Sequence, residues 1–195
     1  MVYEIILIFG ISMLSTYLPK ITELSMDNEI NTKIIFDFDD QNQIDNWISI
    51  NDNVMGGNSV GKILISDSCL LFTGNLSLEN NGGFSSIRTK PRNYDLIDFH
   101  GLKIQVKGDG RTYQFRIRTN DKFDGIAYSF EFNTIEDTWI EVELPFESFL
   151  PTFRGRVLND VPLINPDDIR QIGFLIADKD ESEFRLYVDK IFGYK

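Results

Sequence analysis

Between Val54 and Ile63 the chain reads VMGGNSVGKI, and Gly56, four intervening residues, then Gly61-Lys62 reproduce most of a nucleotide phosphate loop. Such a loop cradles phosphate on successive backbone N–H groups and meets its charge with the lysine. A following serine or threonine holds magnesium, a buried strand leads in and a helix leads out. Here position 63 is isoleucine, the preceding ISINDNVM is only partly strand-like, and the following ILISDS is β-rich and too short for a helix. The glycines therefore need a reading other than nucleotide binding.

Other chemistry-bearing residues are few. His100 is the only histidine and lies in DFHGLK, beside no serine or cysteine nucleophile motif, which argues against histidine-dependent catalysis. Cys69 is the only cysteine, so an internal disulfide and a cysteine zinc site are both excluded; its flanks, DSCLLF, read as a small apolar residue entering a strand. The carboxylate-rich runs DFDD (37–40) and DKDE (178–181) do not continue into a calcium loop, with glycine sixth and glutamate twelfth. They read as solvated turns, with a structural calcium as the lesser alternative. A hydrolase built on two carboxylates has no motif here, and no cofactor is implied.

Arginine is more suggestive. In PTFRGR, Arg154 and Arg156 flank Gly155 in a loop that starts at a proline, within a chain of 30 acidic and 19 basic residues and net charge −11. Planar guanidinium groups pair bidentately with carboxylates. Those carboxylates belong either to a partner or to the protein's own Asp52, Glu79 or Glu131. Arg88 invites the same two readings. Gln114, Arg116 and Arg118 share one face of a strand, read either as a solvated surface with acids across from it or as a concave face that binds sugar. The strong negative charge opposes non-specific binding to nucleic acid or to an anionic membrane.

The elements that position these residues are strands. From Ile34 onward the pattern is short alternation with turn residues about every ten positions. In GLKIQVKGDGRTYQFRIRTN, Leu102, Ile104 and Val106 alternate with polar residues, Gly108-Asp109-Gly110 intervenes, and Tyr113, Phe115 and Ile117 alternate again. Asp-Gly between alternating segments predicts a hairpin. GIAYSFEFNT and TWIEVELPF read as half-buried strands, and RQIGFLIAD, apolar on both faces, as a central one. Trp47 and Trp139 are expected to anchor the core. NPDDIRQ predicts a helical turn capped by Asn165, with Pro166 first. Nine or ten strands without a long amphipathic helix predict an all-β, two-sheet antiparallel sandwich of the jelly-roll kind.

Read together, NDNVMGGNSVG (51–61), LENNGGFSSIRTK (78–90), GDGRTYQFRIRT (108–119) and PTFRGR (151–156) resemble the complex I intermediate-associated protein 30 family. The resemblance runs from about Ile34 to Ile191. It implies a galactose-binding-like jelly roll and a role in assembling NADH:ubiquinone oxidoreductase, and it transfers no catalytic residue. On this reading the domain is a non-catalytic module that holds a protein partner, with carbohydrate binding as the alternative. The residues expected to meet the partner are Asn53, Met55, Gly56, Gly57, Ser59, Gly82, Gly83, Phe84, Arg88, Arg154, Gly155 and Arg156, gathered on one rim of backbone amides and guanidinium groups.

The domain is placed at 33–195. Residues 1–32 hold an apolar stretch, IILIFGISML, and a polar linker. That stretch is about the length of a signal-peptide core and shorter than a bilayer span, but Glu4 stands where a basic residue is expected. Export or membrane association through residues 1–20 stands against a plain extension of a cytoplasmic protein.

Overall fold

Alternation decides which side chains face inward. In β6 (Gly101–Lys107) and β7 (Thr112–Arg118) every second side chain is apolar, and Leu102, Ile104, Val106, Tyr113, Phe115 and Ile117 are all fully buried. The computed structural model describes residues 32–195, so the apolar segment and nearly all of the linker fall outside the described residues. Every strand pair within them is antiparallel.

Two sheets face each other. The first runs β3 (Val60–Ser66), β4 (Cys69–Asn75), β13 (Glu183–Tyr194), β6 and β9 (Trp139–Pro145), with β1 (Thr32–Asp37) also paired to β13. The second runs β11 (Arg156–Val157), β10 (Leu150–Phe153), β8 (Ala127–Asn133), β7, β12 (Gln171–Ile176), β5 (Ser85–Thr89) and β2 (Trp47–Asn51). The sandwich of two antiparallel sheets is the architecture that the alternation predicts. β12 is buried along its whole length between β7 and β5, as its two apolar faces require.

Aromatic rings fill the space between the sheets. Trp47 stands with its centroid 5.2 Å from Phe36 of the first sheet and 6.1 Å from Phe174 of the second. Phe174 in turn meets Phe115 edge to face at 5.1 Å. Trp139 does not join them: it lies on an edge strand, 46% exposed, with the Lys107 ammonium 5.5 Å from its ring centroid. Its place in an outward-facing register position of β9, opposite Lys107, explains the difference.

The hairpin expected at Gly108-Asp109-Gly110 is not one. β6 lies in the first sheet, paired to β9 and β13, while β7 lies in the second, paired to β8 and β12. A long antiparallel ribbon, β6 and β7 against β8 and β9, bends over from one layer to the other at this turn. Asp109 fixes the corner: its carboxylate accepts from the Arg111 amide at 3.2 Å, the Tyr113 hydroxyl at 3.1 Å and the Arg185 amide at 2.7 Å. Burial and this nearby negative charge hold the Tyr113 phenol protonated far above its usual range. Local alternation cannot distinguish a turn that reverses the chain within a sheet from one that carries it across to the next.

Smaller expectations stand. Pro166–Asp168 forms a single 3₁₀ turn whose Asn165 cap accepts from the Asp167 amide at 3.4 Å. Cys69 is buried at the start of β4, and burial pushes its thiol pKa up. A strand, β3, follows the phosphate-loop look-alike, and Lys62 is exposed on it.

Candidate functional site

The two glycine-rich loops meet, and one carboxylate joins them. Asp52 begins the 3₁₀ turn Asp52–Met55 after β2 and is 0% exposed. Its Oδ1 accepts from the Ser59 amide at 2.9 Å; its Oδ2 accepts from the Gly83 amide at 2.7 Å and the Phe84 amide at 3.3 Å. Burial pushes its pKa up, and the hydrogen bonds from Ser59, Gly83 and Phe84 outweigh that and hold it below the usual aspartate range. A buried ion with no cationic partner among the described residues is tolerated here because three dipoles point at it.

Glycine is needed around this carboxylate for space. A Cβ on Gly57 would overlap the Asp52 carboxyl carbon, and one on Gly82 would stand 2.5 Å from Asp52 Oδ2. Gly57→Ala is accordingly expected to destabilise the domain by about 1–3 kcal/mol, the usual cost of overpacking. A urea-denaturation curve for this variant that matched the parent would show that the cradle is not tightly fitted.

Several expected partner residues therefore face inward. Gly57 and Ser59 are buried, and the Ser59 hydroxyl donates to Ser77 O at 3.2 Å while accepting from the Ser77 amide at 3.0 Å. What the hub leaves outside is a short apolar crest: Asn53, Met55 and Gly56 are exposed, with Val54 and Met55 62% and 61% accessible. Exposed Leu78, on the neighbouring loop, packs its Cδ2 toward Gly83. The sequence reading counted Val54 only as part of a quoted motif and did not single out Leu78.

The Arg-Gly-Arg segment is elsewhere. Asn51 pairs with Ser85 at the end of the second sheet where β5 begins and β12 ends, whereas β10 leaves the sheet beside Ala127, where β8 begins. The two sites lie at opposite ends of the strands and at opposite edges, β2 and β11. The single rim expected from the sequence is thus two separate places. Arg154 and Gly155 form the two-residue turn between β10 and β11, both at positive φ (49° and 76°), as a type I′ turn requires. Arg154 pairs with Asp124 at 3.1 Å, not with Asp52, Glu79 or Glu131. Glu79 instead accepts from Asn58 Nδ2 at 2.7 Å.

Arg88 belongs to neither group. It projects from the outward face of β5, opposite Gly173 of β12, and Arg116 of β7 stands opposite the same Gly173 from the other side. Arg118 follows on β7, in register with Gln171. Neither acidic run forms a metal centre: among the described residues no three carboxylate, histidine or cysteine groups are disposed to hold an ion. Asp37 and Asp39 face Lys190, at 3.1 and 3.7 Å, and Asp178 pairs with Arg111.

The sandwich is shared with carbohydrate-binding modules. The family 11 module from Clostridium thermocellum, solved with a β-1,3-1,4-mixed-linked tetrasaccharide, matches with TM-score 0.64 at 18% identity, over 84% of this chain and 95% of the module. An agarase matches at 0.59 and 13% identity, over 85% of this chain and 25% of that one. Likeness at this level is likeness of fold. Sequence is more specific: residues 36–188 match the profile of complex I intermediate-associated protein 30, and the chain belongs to that family. Its relatives include complex I intermediate-associated protein 30, mitochondrial, of Mus musculus, 31% identical over 82% of this chain and 55% of that one. A probable counterpart in Caenorhabditis elegans is 26% identical, over 82% and 53%. The chain spans about half the length of these curated relatives. Both carry the word mitochondrial, a compartment absent from the expectations above.

Proposed function

We infer that the domain is a non-catalytic interaction module that holds a protein partner in mitochondria during assembly of NADH:ubiquinone oxidoreductase. The observation that carries this reading is the family match across residues 36–188, which takes in the whole Asp52-held crest. Rigidly anchored loops bearing exposed Val54, Met55 and Leu78 have the character of a small apolar anchor with a polar, backbone-rich surround. An exposed methionine adapts its shape to a partner at low cost. The carbohydrate alternative has the fold in its favour and the burial of Trp47 against it. Neutral sugars are commonly held on flat aromatic rings, and Trp47, the ring first considered for that role, is buried between the sheets.

The test is a double substitution, Val54→Asp with Met55→Asp. Both side chains are exposed, so the melting temperature should stay within about 2 °C of the parent, while affinity capture of assembly intermediates from mitochondria should fall at least tenfold. Undiminished capture by the folded variant removes the crest as the partner site.

A further inference from the structure

The outward face of the second sheet carries cationic charge that no ion pair among the described residues neutralises. Arg88 is 9% exposed, and its Nε is buried without a hydrogen-bond partner; the same is true of Arg116 Nε. Arg116 has one weak contact, Nη2 to Thr152 Oγ1 at 3.4 Å. Arg118 Nη1 donates to Gly125 O at 3.0 Å, a neutral acceptor. Among the described residues no carboxylate forms an ion pair with any of the three. Asp124 acts on Arg88 and Arg118 only through space, and its oxygens are engaged by Arg154 and by the Gly125 amide at 2.8 Å.

The three are close enough to disturb one another. Burial, and then the charge of Arg118, pushes the Arg88 guanidinium down to about 10; Arg116 is pushed to about 10 by burial and by both neighbours. All remain charged at neutral pH. Charge taken out of water and left without an ion pair is costly, and such groups cluster at functional sites. An excess of positive charge at one place on a chain of net charge −11 is not a general feature of its surface.

The row has a shape as well as a charge. Gly173 lies between Arg88 and Arg116, so their Cα atoms stand about 10 Å apart, two strand spacings, with no side chain between them. A Cβ on Gly173 would press on Ile87 O and stand 2.8 Å from Arg88 Cβ. Phe123 of the loop between β7 and β8 lies over Arg88, its ring centroid 4.7 Å from the guanidinium carbon, and is itself mostly exposed. Gln171 holds that loop in place, donating to Asn120 O at 2.9 Å. The face thus offers a slot of bare Gly173 backbone between two arginine positions, with the Phe123 ring over one of them.

We propose that the Arg88, Arg116 and Arg118 slot is an oxyanion-binding site that takes a phosphate monoester. A carboxylate offers two oxygens in one plane and one negative charge. A phosphate monoester offers three oxygens in different directions and a charge near −2, which suits donors arriving from two strands. The site lies at the other end of the second sheet from the Val54 and Met55 crest, so it stands or falls independently of the partner surface inferred above.

The experiment is calorimetric titration of the parent chain with inorganic phosphate, phenyl phosphate and a phosphoserine peptide, with chloride and acetate as controls at matched ionic strength. Saturable binding of the phosphates is expected, weakened at least about tenfold in both Arg88→Gln and Arg116→Met, the loss of roughly one charge-assisted contact. A readout without ligand separates the site from a structural role: removing a half-buried charge that has no ion pair should leave the melting temperature of Arg116→Met unchanged or raised. Tighter binding of the phosphopeptide assigns the phosphate to a protein, and equal or tighter binding of phenyl phosphate assigns it to a small molecule; each supports the site. No phosphate binding, equal binding of acetate, or equal binding by both variants overturns it.

Discussion

Asp52→Asn is expected to cost the domain about 2–4 kcal/mol, more than most single substitutions. An asparagine in this position turns an NH₂ toward backbone N–H groups, so at least one of the Ser59, Gly83 and Phe84 amides loses its acceptor in a site closed to water. For a domain of this size the melting temperature should drop by roughly 5–15 °C. Hydrogen exchange at the Gly83 and Phe84 amides should accelerate more than exchange elsewhere in β5, because both loops lose their common anchor. A variant as stable as the parent, with those amides still protected, would mean that the loops hold themselves and the carboxylate is incidental.

The second large effect is expected at Arg111. Its side chain is 9% exposed, and all of its nitrogens are used: Nε donates to Asp178 Oδ2 at 2.8 Å, Nη2 to Asp178 Oδ1 and to Asp180 O, and Nη1 to Ser182 O, Ser182 Oγ and Glu183 O. Burial lowers its pKa, and the Asp178 carboxylate more than restores it. Arg111→Ala leaves half-buried Asp178 without its partner and three carbonyls without donors. The expected loss is about 2–4 kcal/mol, read by urea denaturation. Arg111→Lys should recover only part of it, since an ammonium cannot reach both carboxylate oxygens and the turn carbonyls together. Full recovery by lysine would reduce the fork to a simple point charge.

Both sites give the same acid signature. Asp178, like Asp52, is pushed up by burial, yet is held below its ordinary value by Arg111 and by the Asp180 amide. A carboxyl with a depressed folded value adds stability that is complete above the unfolded value and is lost as pH falls through the folded one. Stability should therefore be level from neutrality to about pH 5 and decline below about pH 4. The decline should be shallower in Asp52→Asn, which has one fewer carboxylate to protonate.

How much of this was legible follows from the range of the interactions. The layers of β6, β7, β9 and β12 could be read because burial imposes a period of two on each strand by itself. The corner at Asp109 could not, since its ligands, Tyr113 and the Arg185 amide, come from both sheets and 76 residues separate Asp109 from Arg185. The convergence of the two glycine loops was a question the sequence raised; Asp52, named there only as a possible mate for arginine, proved to be what joins them. DKDE read as a solvated turn because nothing local shows that Arg111 reaches it from 67 residues away. The outward arginines of β7 are legible from alternation, but their proximity to Arg88 depends on β12 lying between, which is a fact of strand order.

The strand order also sets a timetable for synthesis. β13, made after every other described strand, pairs with β4, β6 and β1 and so completes the first sheet. Until β13 clears the ribosome, that layer lacks its middle and the edges of β4 and β6 stay open. A nascent copy is thus committed to an interval of exposed, sticky edges, and a holdase acting in that interval should raise the yield of folded protein.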